Sequence, residues 1–267
     1  MTHTEPQQGP RHRALTRTAL AALALLAVAG CGGGGNGDDE PGATGLVPTA
    51  PALGATLFND ATVLRPLVAG ARWQYAGIAP DGGAYTNVIT QASASPGVTE
   101  SGTNTFNSGP GSVHVAVVNG NVVQPDPVDA NDDGITDFAN AVELQSPVRV
   151  NDQFVAIDQR LSNMVPDIDG DGRGEYLDLA SYSRVIGTED VALTGLPTQH
   201  AVRIDRITAA RVVLTKDGQK LPTVTSTQTV WYAPSIGVVR RRLDAPDETG
   251  VGRDISDERV TGWSGLP

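Results

Sequence analysis

The chain has 267 residues, 39% of them hydrophobic and only 4% aromatic, with 19 basic against 30 acidic side chains and a formal net charge of −11. So acidic a chain repels polyphosphate, which excludes nucleic acid as a partner. The lone cysteine, Cys31, excludes an intramolecular disulfide and any CxxC metal or redox site.

At the N-terminus, Arg11, His12, Arg13 and Arg17 precede an apolar run from Ala19 to Ala29 that ends in Gly30-Cys31. Positive charge followed by a short apolar stretch is the pattern of a secretory signal. The run is shorter than the roughly 20 residues that span a bilayer as a helix. Val28-Ala29-Gly30-Cys31 resembles the lipobox of bacterial lipoproteins. That resemblance implies cleavage before Cys31, a diacylglycerol on its thiol and an acylated new amine, with two or more chains giving stable anchoring. The membrane, reached through this anchor, is therefore the first expected partner. Gly32 in place of Asp implies sorting to the outer membrane in a cell that has one. Removal of residues 1–30 takes away three Arg and one Glu, leaving 16 basic and 29 acidic residues and a net charge of −13.

From Gly32 to Gly42 the chain is mostly Gly, Asn and Asp and cannot bury apolar surface, so residues 31–56 read as a flexible tether. About 20 such residues span roughly 25 Å. Residues 57–267 are long enough for one domain with a proper core, and an acidic region at 126–178 lies within it.

Inside the domain the pattern is mainly β. Trp73, Tyr75 and Ile78 alternate with small or polar residues before a Pro80-Asp81-Gly82-Gly83 turn; Tyr85, Val88 and Ile89 follow, then Pro96-Gly97. Val113, Val115 and Val117 lead into Asn119-Gly120, a strong hairpin signal, and Val122-Val123. A short helix is conceivable only at Asp137–Leu144. Val148, Val150, Phe154, Val155 and Ile157 suggest a strand pair. Val202, Ile204 and Ile207, then Val212-Val213-Leu214, lead to a Lys216-Asp217-Gly218 turn, Val224 to Tyr232, and Ile236 to Arg240. Such a succession predicts a curved antiparallel meander, closed as a partial barrel or sandwich, with long acidic loops.

Two loops carry the most specific chemistry. Asp129, Asn131, Asp133 and Asp137 occupy positions one, three, five and nine of one loop, with Gly134 at six and the Ile135 carbonyl at seven. Asp167, Asp169, Asp171 and Glu175 repeat the spacing, with Gly172 at six, the Arg173 carbonyl at seven and Asp178 at twelve. Both resemble the D-x-[DN]-x-D-G calcium loops of EF-hand-like and related extracellular proteins. Alternate oxygens of a tight loop converge on one point, and Ca²⁺ takes six to eight such hard ligands. Asn140 at twelve in the first loop, the short Asp178 in the second and the β-like flanks all depart from a helix-pair sensor. The resemblance therefore implies structural Ca²⁺ that rigidifies loops.

Catalytic signatures are missing. His114 and His200 alone follow the signal segment, both in strand-like runs, and no nucleophile elbow, P-loop, dinucleotide fingerprint or H-E-x-x-H is present. The chain does not read as an enzyme. Pro66-Leu67, Gly70, Trp73 and Tyr75, with Trp231-Tyr232-Ala233-Pro234-Ser235-Ile236-Gly237-Val238-Val239, resemble the opening and closing strands of many bacterial envelope lipoproteins, in which the place of Ser235 is usually Gly. That likeness implies a curved sheet whose aromatics pack its core or rim. Two functions remain open: a calcium-stabilised binding or interaction module, and a carrier whose half-barrel cavity holds a lipid or an apolar peptide.

Overall fold

The structure is a computed structural model that describes residues 44–105, 111–127, 139–247, 250 and 252–267. Six strands form a first meander: β2 (Arg72–Ile78), β3 (Ala84–Ser93), β4 (Val98–Asn104), β5 (Gly111–Val118), β6 (Asn121–Gln124) and β7 (Ala141–Leu144). Six more form a second: β9 (Gln153–Val165), β10 (Glu175–Leu193), β11 (Leu196–Val213), β12 (Val224–Ala233), β13 (Gly237–Pro246) and β14 (Arg253–Ser264). Two short strands, β1 (Thr56–Phe58) and β8 (Val148–Arg149), pair with each other.

Within each meander, neighbours in sequence pair antiparallel. β14 then returns to pair with β2, so both halves join in one 12-stranded sheet whose edges are β7 and β9. Across these edges Ala141 packs on Ala156, and the sheet closes almost completely into a barrel. The expected curved meander is therefore the architecture observed.

Alternation decides which side chains line the wall. On β2, Trp73 and Tyr75 are buried while Arg72, Gln74, Ala76 and Ile78 are exposed, as a period of two requires. At the β5–β6 hairpin, Asn119 (φ 52°) and Gly120 (φ 80°) both adopt the left-handed conformation that a two-residue turn needs, and Val118 pairs with Asn121. Gly77 serves a different end. A Cβ there would stand 2.6 Å from Cζ of Tyr85, so the ring lies where any side chain would be.

Two expectations change. Ala141–Leu144 is strand β7, paired with β6, not a helix; Asn140 directly before it is left-handed (φ 56°), and four residues beside an open sheet edge gain more from its ladder than from an isolated helical turn. Of the acidic region, the described strands β7 and β9 form part of the wall. Residues 44–56, placed in the tether by composition, instead lie along the barrel. Thr44 N donates to Asp158 Oδ1 (2.9 Å), Arg211 to the Thr44 carbonyl (2.9 Å), Gln153 to the Pro48 carbonyl (2.9 Å), and Gly54 N to the Val150 carbonyl (2.8 Å). Those partners satisfy backbone groups that would otherwise need water.

Candidate functional site

The β9–β10 connection brings three of the expected ligands together. Asp167, Asp169 and Glu175 each present a carboxylate oxygen, all within 4.8 Å of one another. Backbone donors set this geometry. Asp167 accepts from Gly170 N (2.7 Å) and Gly172 N (2.9 Å), Asp169 from Asp171 N (3.1 Å), and Asp171 from Arg173 N (2.9 Å). Positive φ at Gly170 (77°) and Gly172 (87°) lets the loop turn tightly enough for this.

The loop docks on the β11–β12 turn: Glu175 accepts from Thr215 N (2.8 Å) and Asp169 from Lys216 N (3.0 Å). Burial pushes the Glu175 carboxyl up, but the N–H groups of Ile168, Thr215 and Asp169 outweigh it and hold the group below its ordinary value. The N–H groups of Gly172 and Gly170 hold Asp167 low as well. Both acids are thus kept ionised, as metal ligands must be.

Asp178 does not join them. It lies three residues beyond Glu175 on a strand, and an odd separation points the two side chains to opposite faces. Its oxygens accept instead from Arg160 (2.7 Å) and Arg211 (2.8 Å). Position twelve of an EF-hand converges because a helix carries it round, and here a strand leaves the loop. Asp129, Asn131, Asp133, Ile135 and Asp137 of the first loop, and Cys31, lie outside the described residues.

Inside the barrel is a polar network that the sequence did not announce. Arg65 Nη2 stands 2.5 Å from Glu100, and its Nε 2.9 Å from Glu143. Gln91 donates to Glu100 (2.7 Å) and the Tyr232 hydroxyl to Glu143 (2.9 Å), while Arg206 approaches Glu143 at 3.3 Å. Burial alone would raise the Glu143 carboxyl, but Arg65 and Arg206 outweigh it and bring it down to about 2. In a second knot, Arg241 pairs with Glu258 (2.8 Å) and covers the Tyr75 ring, 5.1 Å from its centroid. Burial pushes the Tyr75 hydroxyl up to about 12. The shifts at Glu143 and Tyr75 both lead away from neutrality, so neither group exchanges a proton readily at pH 7.

The two aromatic segments meet across the interior. Trp73 Nε1 donates to the Ile236 carbonyl (2.7 Å), and the Tyr75 hydroxyl to that of Val238 (2.9 Å). Ser235 N donates to the Val63 carbonyl (2.7 Å), fixing the β12–β13 turn against the segment that carries Arg65. These aromatics hold the fold together. On the outer wall, Ala76, Ile78, Ala84, Thr86, Arg259 and Thr261 line an open groove of about 640 Å³.

No protein-family model matches the chain, and no curated protein matches it. Among solved structures, a candidate lipoprotein from Parabacteroides distasonis ATCC 8503 is similar at 17% identity and a TM-score of 0.42, over 76% of this chain and 98% of that one. A candidate exported protein with a YmcC-like fold from Bacteroides fragilis NCTC 9343 is similar at 15% identity and a TM-score of 0.39, over 74% of this chain and 97% of that one.

Proposed function

We infer that the protein is a lipid-anchored component of the cell envelope whose barrel is a calcium-stabilised binding or interaction module without chemistry of its own. The convergence of Asp167, Asp169 and Glu175 on one point, docked to a second turn, carries this reading. The anchor follows from the lipobox at Cys31. Arg203, Arg240, Asp257 and Arg259 lie on the outer wall, which speaks for a barrel held at the bilayer rather than in it. The carrier reading loses support because Arg65, Trp73, Tyr75 and Tyr232 occupy the interior that a lipid would need.

Thermal melts of the purified protein test the metal. Calcium raises the melting temperature and EDTA lowers it; identical curves would remove calcium from the reading. Cys31→Ser tests the anchor by moving the protein from the membrane fraction to the soluble one, and an unchanged membrane fraction would remove the anchor.

A further inference from the structure

We propose that the barrel stands on the bilayer with the rim made by the β9–β10 and β11–β12 turns facing the lipid headgroups, and with the rim made by the β12–β13 turn and the end of β14 facing away. This rests on the lipoprotein reading of Cys31.

The argument is one of reach. Thr44, the first described residue, is fixed at both its N–H and its carbonyl, by Asp158 and Arg211. Arg211 also pairs with Asp178, three residues from Glu175, where the β9–β10 turn begins. At about 3.3 Å per residue, the chain therefore meets the wall about 10 Å from that rim. In the other direction, Val224 pairs with Ala210 beside Arg211, and β12 climbs from there to Ser235. That climb is about 35 Å. The stretch from Cys31 to Thr44 spans at most about 45 Å when fully extended. It reaches the near rim with most of its length to spare. The far rim would meet the lipid only if that stretch ran back along the whole wall, almost straight.

The near rim also carries the ammonium groups of the chain. Lys216 and Lys220, the two lysines of the whole sequence, are both exposed in the β11–β12 turn. Exposed ammonium groups favour lipid phosphates. The carboxylates beside them, exposed at Asp167, Asp171 and Asp217 and half-buried at Asp169, accept backbone N–H groups of the two turns, so the two ammonium groups stand as local positive points on an acidic rim.

The lipidated full-length protein, reconstituted in vesicles of phosphatidylethanolamine and phosphatidylglycerol, provides the test. With the Cys31 sulfur held in a thioether to the diacylglycerol, a single introduced cysteine takes a donor fluorophore cleanly. Energy transfer to an acceptor-labelled lipid is read for Lys220→Cys on the near rim and Ser264→Cys on the far rim. A second pair, Lys216→Cys and Arg72→Cys, guards against a variant that fails to fold. Transfer several-fold greater from the near-rim labels is the expected result. Equal transfer, or greater transfer from the far rim, overturns the orientation while leaving the anchor intact. Failure of the unlabelled protein to enter vesicles overturns the anchor reading, and the orientation with it.

Discussion

Nε of Arg65 stands 2.9 Å from Oε1 of Glu143, and the two side chains are 6% and 5% exposed. One comes from the segment that enters the barrel and the other from the last strand of the first meander, so the contact ties the barrel's contents to its wall. Replacing Arg65 by Met leaves Glu100 buried without its counter-charge and Glu143 with Arg206 alone. Breaking one partner of such a pair costs about 3–5 kcal/mol. Urea unfolding of Arg65→Met should register a loss of that size, and a loss under about 1 kcal/mol would show that the acids find other partners.

Acid should act through the same carboxylate. Its folded value of about 2 lies below the ordinary 4.5, so its contribution is complete above pH 4.5 and is lost as pH falls toward 2. Asp178 shifts in the same direction, because Arg160 and Arg211 overcome the effect of its burial. The urea midpoint should hold steady from neutrality to about pH 5 and then drop. A midpoint unchanged at pH 3 would contradict the assignment.

Asp169→Asn separates metal binding from loop packing. In EDTA the variant should match the parent or melt slightly higher, because one carboxylate of a repelling group has gone. With calcium at a hundred times its Kd, a bound ion stabilises by about 2.7 kcal/mol. This corresponds to roughly 5–10 °C for a domain of this size. The variant should lose more than half of that gain, and a full gain would place the ion elsewhere.

Ser235 sits at φ 63°, in the left-handed region, where an L side chain costs about 1–2 kcal/mol. Glycine would remove that strain and add about 0.5–1 kcal/mol of unfolded-state entropy. The difference favours Ser235→Gly by about 0.5–1 kcal/mol, measurable as a higher urea midpoint. A lower midpoint would mean that the hydroxyl makes a compensating bond.

Trp73–Ile78 was legible because it alternates apolar and polar residues, facing core on one side and water on the other, whereas Val224–Tyr232 was legible by its β-branched and aromatic residues, with Val230, Trp231 and Tyr232 buried in succession. β4, β10 and β14 were not legible. Glu100 and Glu258 occupy inward positions of β4 and β14, where alternation predicts an apolar residue, and their counter-charges Arg65 and Arg241 lie far off in sequence. β10 carries charge at Asp178, Arg184, Glu189 and Asp190, answered on other strands. At the calcium-type loop, three of the residues singled out by spacing, Asp167, Asp169 and Glu175, lie together. Asp178 stands apart, paired with Arg160 and Arg211, because the position-twelve rule presumes a helix after the loop and a strand follows it here.

The pairing of β14 with β2 has a consequence for how the chain is made. Synthesis from the N-terminus delivers β2 early, yet its partner, residues 253–264, follows every other strand of the sheet. Until then β2 offers an open edge, the kind of surface that recruits stray strands. The charged ladder opposite it, Asp257, Glu258 and Arg259 against Ile78, Gly77 and Ala76, supplies the final seam. Assembly of this barrel therefore has a last step, and loss of β14 would leave β2 and β13 as two unpaired edges open to stray strands rather than a slightly smaller barrel.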